Sequence, residues 1–113
     1  MSEVIAKRQF EVLQKDGVVN FISVTIFKPY IDSTLDSKKD ATWFCEFEIN
    51  EFGNAKTRVI SGEDALQALM RVIGLVDEFM KAFAVRFKGS ITWLGYEYPL
   101  PIYRTFTDEE DRL

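Results

Sequence analysis

Apolar and polar residues alternate with a period of two over the first half of the chain, then switch to a helical period. Residues 4–14 read as a strand, with Phe10 and Val12 on one side and Gln9 and Glu11 on the other. Lys15-Asp16-Gly17 predicts a hairpin turn, because Asp and Gly tolerate the positive φ of tight turns. Residues 18–28 supply the partner strand: Ile22, Val24 and Ile26 alternate with Ser23 and Thr25, and Pro29, which has no N–H to give, closes it. Residues 29–40 have no period and are rich in Asp and Ser, which predicts a loop. The cleanest alternation follows, with Trp43, Cys45, Phe47 and Ile49 on one side and Thr42, Phe44, Glu46 and Glu48 on the other. Glu51-Phe52-Gly53-Asn54 predicts a turn and residues 55–61 a fourth strand, whose Lys56 and Arg58 are expected opposite Glu46 and Glu48 on a solvated face.

The period then becomes 3.6 and predicts a helix over 63–84, with Ser61 as its N-cap and Glu63 and Asp64 near its positive end. Leu66, Leu69, Met70, Ile73, Val76, Met80 and Phe83 form one apolar stripe, and Ala65, Ala68, Val72, Leu75 and Phe79 form a second beside it. Together they span an arc of about 220°, roughly twice what a helix lying on one sheet needs. Residues 90–94 predict a short fifth strand. The aromatic, Pro-containing segment 96–106 is expected to pack as a flap over the surplus helix arc, with a second subunit as the alternative cover.

The fold class that follows is α+β: an antiparallel sheet of four to five strands with one long helix on one face, in the order β-β-β-β-α-β. With 113 residues the chain is expected to be one domain over 1–107, followed by an acidic tail over 108–113.

Composition narrows the function. There is no His and one Cys, so the commonest general base, the commonest metal ligand, disulfide frameworks and Cys-rich zinc sites are all excluded. Cys45 falls on the apolar side of its strand, which predicts a buried, inert thiol. The net charge of −4 is concentrated in the tail, where Asp108, Glu109, Glu110 and Asp111 outweigh Arg112. Basic residues cluster no further than pairs such as Lys7-Arg8 and Lys38-Lys39, and no segment is richly basic, so direct nucleic-acid binding is not expected. No apolar run reaches the ~20 residues of a membrane span and the N-terminus lacks a signal-peptide pattern, so the expected compartment is the cytoplasm.

Trp43-x-Cys45, Gly62-x-Asp64-Ala65-x-Gln67-Ala68-Leu69 and Ile91-Thr92-Trp93-Leu94-Gly95 give the chain a resemblance, over residues 4–95, to a family of short bacterial proteins known only as a domain of unknown function. The resemblance implies this fold and a bacterial setting, and no activity or functional residue comes with it.

Among chemistry-bearing residues, Asp32, Asp36 and Asp40 recur every four positions in the loop, without the alternate oxygens and tight-turn Gly of a calcium loop. Glu46 and Glu48 share one strand face with Phe44, the composition of a protein-binding patch. No catalytic set, metal or cofactor is expected. The expected function is a non-catalytic protein-binding protein, most specifically an immunity protein that neutralises a cognate bacterial toxin domain. Phe44, Glu46, Glu48, Asp32, Asp36 and Asp40 are its contact candidates, and opposite charge on the toxin would speed association. The alternatives are a homo-oligomeric structural module, for instance a homodimer, and a small-molecule binder with an aromatic pocket lined by Trp43, Trp93, Tyr96 and Tyr98.

Overall fold

The computed structural model describes residues 3–32, 42–88, 90–94 and the backbone of 96–97. The alternating segments become β1 (Val4–Leu13), β2 (Val19–Phe27), β4 (Trp43–Glu51) and β5 (Asn54–Gly62), followed by the helix α1 (Ala65–Arg86) and β6 (Ile91–Trp93). Two short strands join them, β3 (Tyr30–Ile31) and β7 (Tyr96–Glu97). All pairings are antiparallel, and the sheet runs β5-β4-β2-β1-β6-β7, with β3 alongside β4 beyond the end of β2. The architecture is α+β, an antiparallel sheet with one helix packed against it.

The core lies between the sheet and α1. Phe10, Val12, Ile22, Val24, Cys45, Phe47 and Ile49 come from the strands, Ala68, Val72 and Met80 from the helix, and Ile91 from β6. A fully buried Val, Ile or Phe contributes about 1.5–3 kcal/mol by leaving water, so these residues carry most of the fold's stability. They are the even-numbered residues of β1 and β2 and the odd-numbered residues of β4, as the alternation predicts.

The turns fix which face each strand presents. Between β4 and β5, Phe52 and Gly53 both have positive φ, 54° and 87°, the geometry of a two-residue hairpin turn that matches the twist of its strands. Asn50 braces this turn by accepting the Gly53 N–H at 2.9 Å, and the Phe52 ring lies against Phe87 with centroids 5.4 Å apart. Leu94, in the connection between β6 and β7, also has a positive φ, 51°.

The helix begins later than its sequence predicts. Ser61 is not its N-cap, because Ser61 is still in β5, paired with Phe44. Asp64 caps instead: its carboxylate accepts the Gln67 N–H at 2.7 Å, and the Gln67 side chain accepts the Glu63 N–H at 2.7 Å. Gly62 allows the close approach between strand and helix. A Cβ there would lie 2.5 Å from the Ala68 nitrogen. The Gly62-x-Asp64-Ala65-x-Gln67-Ala68 motif is therefore a device for joining an edge strand to a helix.

Two further expectations change. Leu66, Met70 and Ile73, assigned to an apolar stripe, are 64%, 63% and 47% exposed, while Ala68, Val72, Leu75 and Phe79 of the second stripe and Leu69, Val76, Met80 and Phe83 of the first belong to the core or pack against it. The segment 96–106 begins as β7, in the sheet; residues 98–106 of the expected flap, and the tail 108–113, lie outside the described residues.

Candidate binding surface

Phe44, Glu46 and Glu48 project from β4 on the side of the sheet away from the helix, since their neighbours Cys45, Phe47 and Ile49 are buried in the core. All are half-buried. Phe44 is not bare. Tyr30 of β3 is its cross-strand partner and stacks on it, centroids 5.7 Å apart at 30°, while the Tyr30 hydroxyl donates to Glu46 Oε1 at 3.3 Å. Partial desolvation, then the Glu46 carboxylate and more weakly Asp32, push the Tyr30 hydroxyl above its usual range. The structure thus brings Asp32, Tyr30, Phe44 and Glu46 to one corner of the sheet. Glu48 lies further along, in a cross-strand row with Thr25 and Thr57. Asp36 and Asp40 lie outside the described residues.

Lys56 and Arg58 do not face Glu46 and Glu48. The two-residue turn pairs Glu51 with Asn54, and counting back from it pairs Ile49 with Lys56 and Phe47 with Arg58. Both cations therefore emerge on the helix side, where the Arg58 guanidinium lies 5.1 Å from the Phe79 ring centroid. Glu46 and Glu48 face Val59 and Thr57 instead.

The side away from the helix also carries exposed apolar residues that contact reasoning from charge alone passes over: Leu13, Val19, Phe21 and Val59. Alternation was sufficient to find them: Leu13, Phe21 and Val59 stand beside Val12, Ile22 and Ile60, which pack in or against the core, and Val19 shares the odd parity of Phe21 on β2. Tyr30 was harder to find, because Pro29 interrupts the alternation just before it. Cys45 is buried, donates weakly to the Phe27 carbonyl at 3.4 Å, and has its thiol pKa raised by burial, as befits an inert core thiol.

Trp43 and Trp93 do not share a pocket wall. They stand on β4 and β6, strands roughly 14 Å apart with β2 and β1 between, and the register puts Trp93 level with Glu51, at the opposite end of β4 from Trp43. Tyr98 lies outside the described residues. Concave space is found elsewhere, in an apolar cleft of about 250 Å³ between β1 and α1, lined by Phe10, Val24, Ile26, Val76 and Met80. Arg8, at its rim, lies 4.0 Å over the Trp93 ring. Among the described residues no group of His, Cys, Asp or Glu is placed to hold a metal ion, and no helix is long and apolar enough to cross a membrane.

The molecule is an α+β antiparallel sheet with α1 packed on one side and, among the described residues, an acidic and aromatic second side with no layer on it. The chain belongs to the family described as Domain of unknown function (DUF6968), whose model matches residues 6–102. No curated protein and no solved structure matches it.

Proposed function

We propose that this chain is a non-catalytic protein-binding protein, and most specifically an immunity protein that binds and neutralises a cognate bacterial toxin domain. The observation that carries the reading is the open side of the sheet. Among the described residues, no layer packs on it, and it combines exposed Phe21, Val19 and Val59 with the half-buried Phe44, Glu46 and Glu48. Apolar anchors ringed by polar groups are the usual make-up of a protein interface, and carboxylates at its rim favour a basic partner.

The test is capture from bacterial lysate with the wild-type chain and with Glu46→Lys/Glu48→Lys, read by mass spectrometry and light scattering. The expected result is one basic polypeptide held in stoichiometric ratio by the wild type and lost from the charge-reversed chain. A partner retained undiminished by the variant removes this surface. Expression of the captured polypeptide alone must then arrest growth, and co-expression with this chain must restore it; a harmless partner ends the immunity reading.

One observation favours a second reading, self-association. Leu66, Met70 and Ile73 form an exposed ridge at i, i+4 and i+7 on α1. Sedimentation showing a monomer at high concentration would remove it.

A further inference from the structure

β5 is the edge of the sheet. Among the described residues it pairs only with β4, and its nine residues leave one row of peptide N–H and C=O groups without a strand partner. Beside that edge, between β5 and the C-terminal half of α1, runs a cleft of about 310 Å³. Its floor is Phe79 and Phe83, and its walls carry Lys56, Arg58 and Arg86. The Arg86 guanidinium lies 5.1 Å from the Phe83 centroid and pairs with Glu51. Among the described residues neither Lys56 nor Arg58 has a carboxylate partner. At the far end of β5, Arg71 donates to the Ser61 carbonyl at 3.0 Å. A chain of net charge −4 thus lines one sheet edge with positive charge.

We propose that the β5 edge takes an extended acidic polypeptide segment by strand addition, with carboxylates two residues apart meeting Lys56 and Arg58. The spacing follows from the pleat: in an added strand every second side chain points to the helix side, as Lys56 and Arg58 do on β5. The Phe79 ring beneath Arg58 holds that guanidinium in place and lowers the cost of ordering it. A second copy of β5 is a poor occupant, because pairing edge to edge would bring like charges together on the helix side. The same two cations therefore refuse self-pairing and select an acidic partner. A nucleic acid would use the charges and leave the edge peptide groups unpaired. The surface is distinct from the acidic open side and does not depend on the function proposed for it.

The test uses the full chain and a labelled nine-residue peptide alternating Glu with Thr, matched in length to β5. Its controls are the same peptide with Lys for Glu and a short single-stranded DNA. Binding is read by fluorescence anisotropy, and its location by backbone amide exchange. The expected result is salt-sensitive binding of the Glu peptide alone, slowed exchange in β5, and a loss of about tenfold or more in Lys56→Glu/Arg58→Glu. Lys56→Gln/Arg58→Gln, with an unchanged melting midpoint, provides the same reading without reversing charge. No binding at about 1 mM Glu peptide, equal binding by the Lys peptide, binding of DNA in place of peptide, or undiminished binding in both variants overturns the proposal.

Discussion

β4 and β5 are hydrogen-bonded neighbours of equal length, nine residues each, and they solve opposite problems. β4 is central in its half of the sheet, paired on both sides, and every second residue from Cys45 to Ile49 is buried. β5 is an edge, and only Gly62 at its end is fully buried. A central strand with one face on a helix must bury one alternation. An edge strand has water beside it, so its inward side chains can reach past the core with a charged end. Lys56 and Arg58 do this, lining the cleft together with Ile49, Phe79 and Phe83. The contrast shows that alternation assigns a strand's faces reliably only where both of its edges are occupied.

The largest effect that separates the two strands is a cavity. Phe47 of β4 is fully buried and packs on Phe79, centroids 6.4 Å apart. Phe47→Ala is expected to destabilise by about 3–5 kcal/mol in chemical denaturation. Val59→Ala, on the open side of β5, is expected to stay within about 0.5 kcal/mol. A comparable loss at both positions would mean that the open side is covered by something that buries Val59.

The next effect concerns where β5 is pinned. A methyl group at Gly62 would strike the Ala68 backbone at 2.5 Å from its nitrogen and 2.9 Å from its Cα, atoms that cannot swing aside. Gly62→Ala is therefore expected to cost about 2–3 kcal/mol. Gly74→Ala makes the matched control, since nothing lies within 4 Å of its Cβ direction. A helix-interior Gly in open space gains about 0.5–1 kcal/mol on becoming Ala. Opposite signs at the two glycines would confirm that Gly62 is there for a close approach. Asp64→Ala follows at about 1 kcal/mol for loss of the cap, readable as a lower melting midpoint. If Ser61→Ala costs as much, the cap is shared.

Much of the fold was legible because its signals were local. Strict alternation gave β1, β2 and β4, and the change to a 3.6 period gave α1. The N-cap was not placed because Ser61 and Asp64 are both good capping residues, and only the packing of Gly62 on Ala68 keeps Ser61 in the strand. The apolar surplus of the helix was correctly sensed, but the particular residues left outside, Leu66, Met70 and Ile73, depend on the angle at which α1 meets the sheet. At the candidate surface, Glu46 and Glu48 were placed on the right face. Tyr30 was missed because its contact with Phe44 is a cross-strand one, made across a Pro29 interruption.

The register of β5 is the most instructive difference, and it yields the smallest expected effect. Opposite charges on adjacent strands invite the pairing of Glu48 with Lys56. Parity forbids it: a two-residue turn at Phe52-Gly53 sets even residues of β4 against odd residues of β5. The turn is worth more than the ion pair. A register slip by one residue would carry Ile60 from the core side to water, while an exposed cross-strand ion pair contributes about 0.2–1 kcal/mol. A double-mutant cycle on Glu48→Ala and Lys56→Ala should therefore give a coupling energy indistinguishable from zero, within about 0.3 kcal/mol. Coupling of about 0.5 kcal/mol or more, lost at high salt, would place the two side chains on one face and shift β5 by one residue. That shift would also remove Arg58 from Phe79, so the same measurement tests whether the positive lining of the edge exists at all.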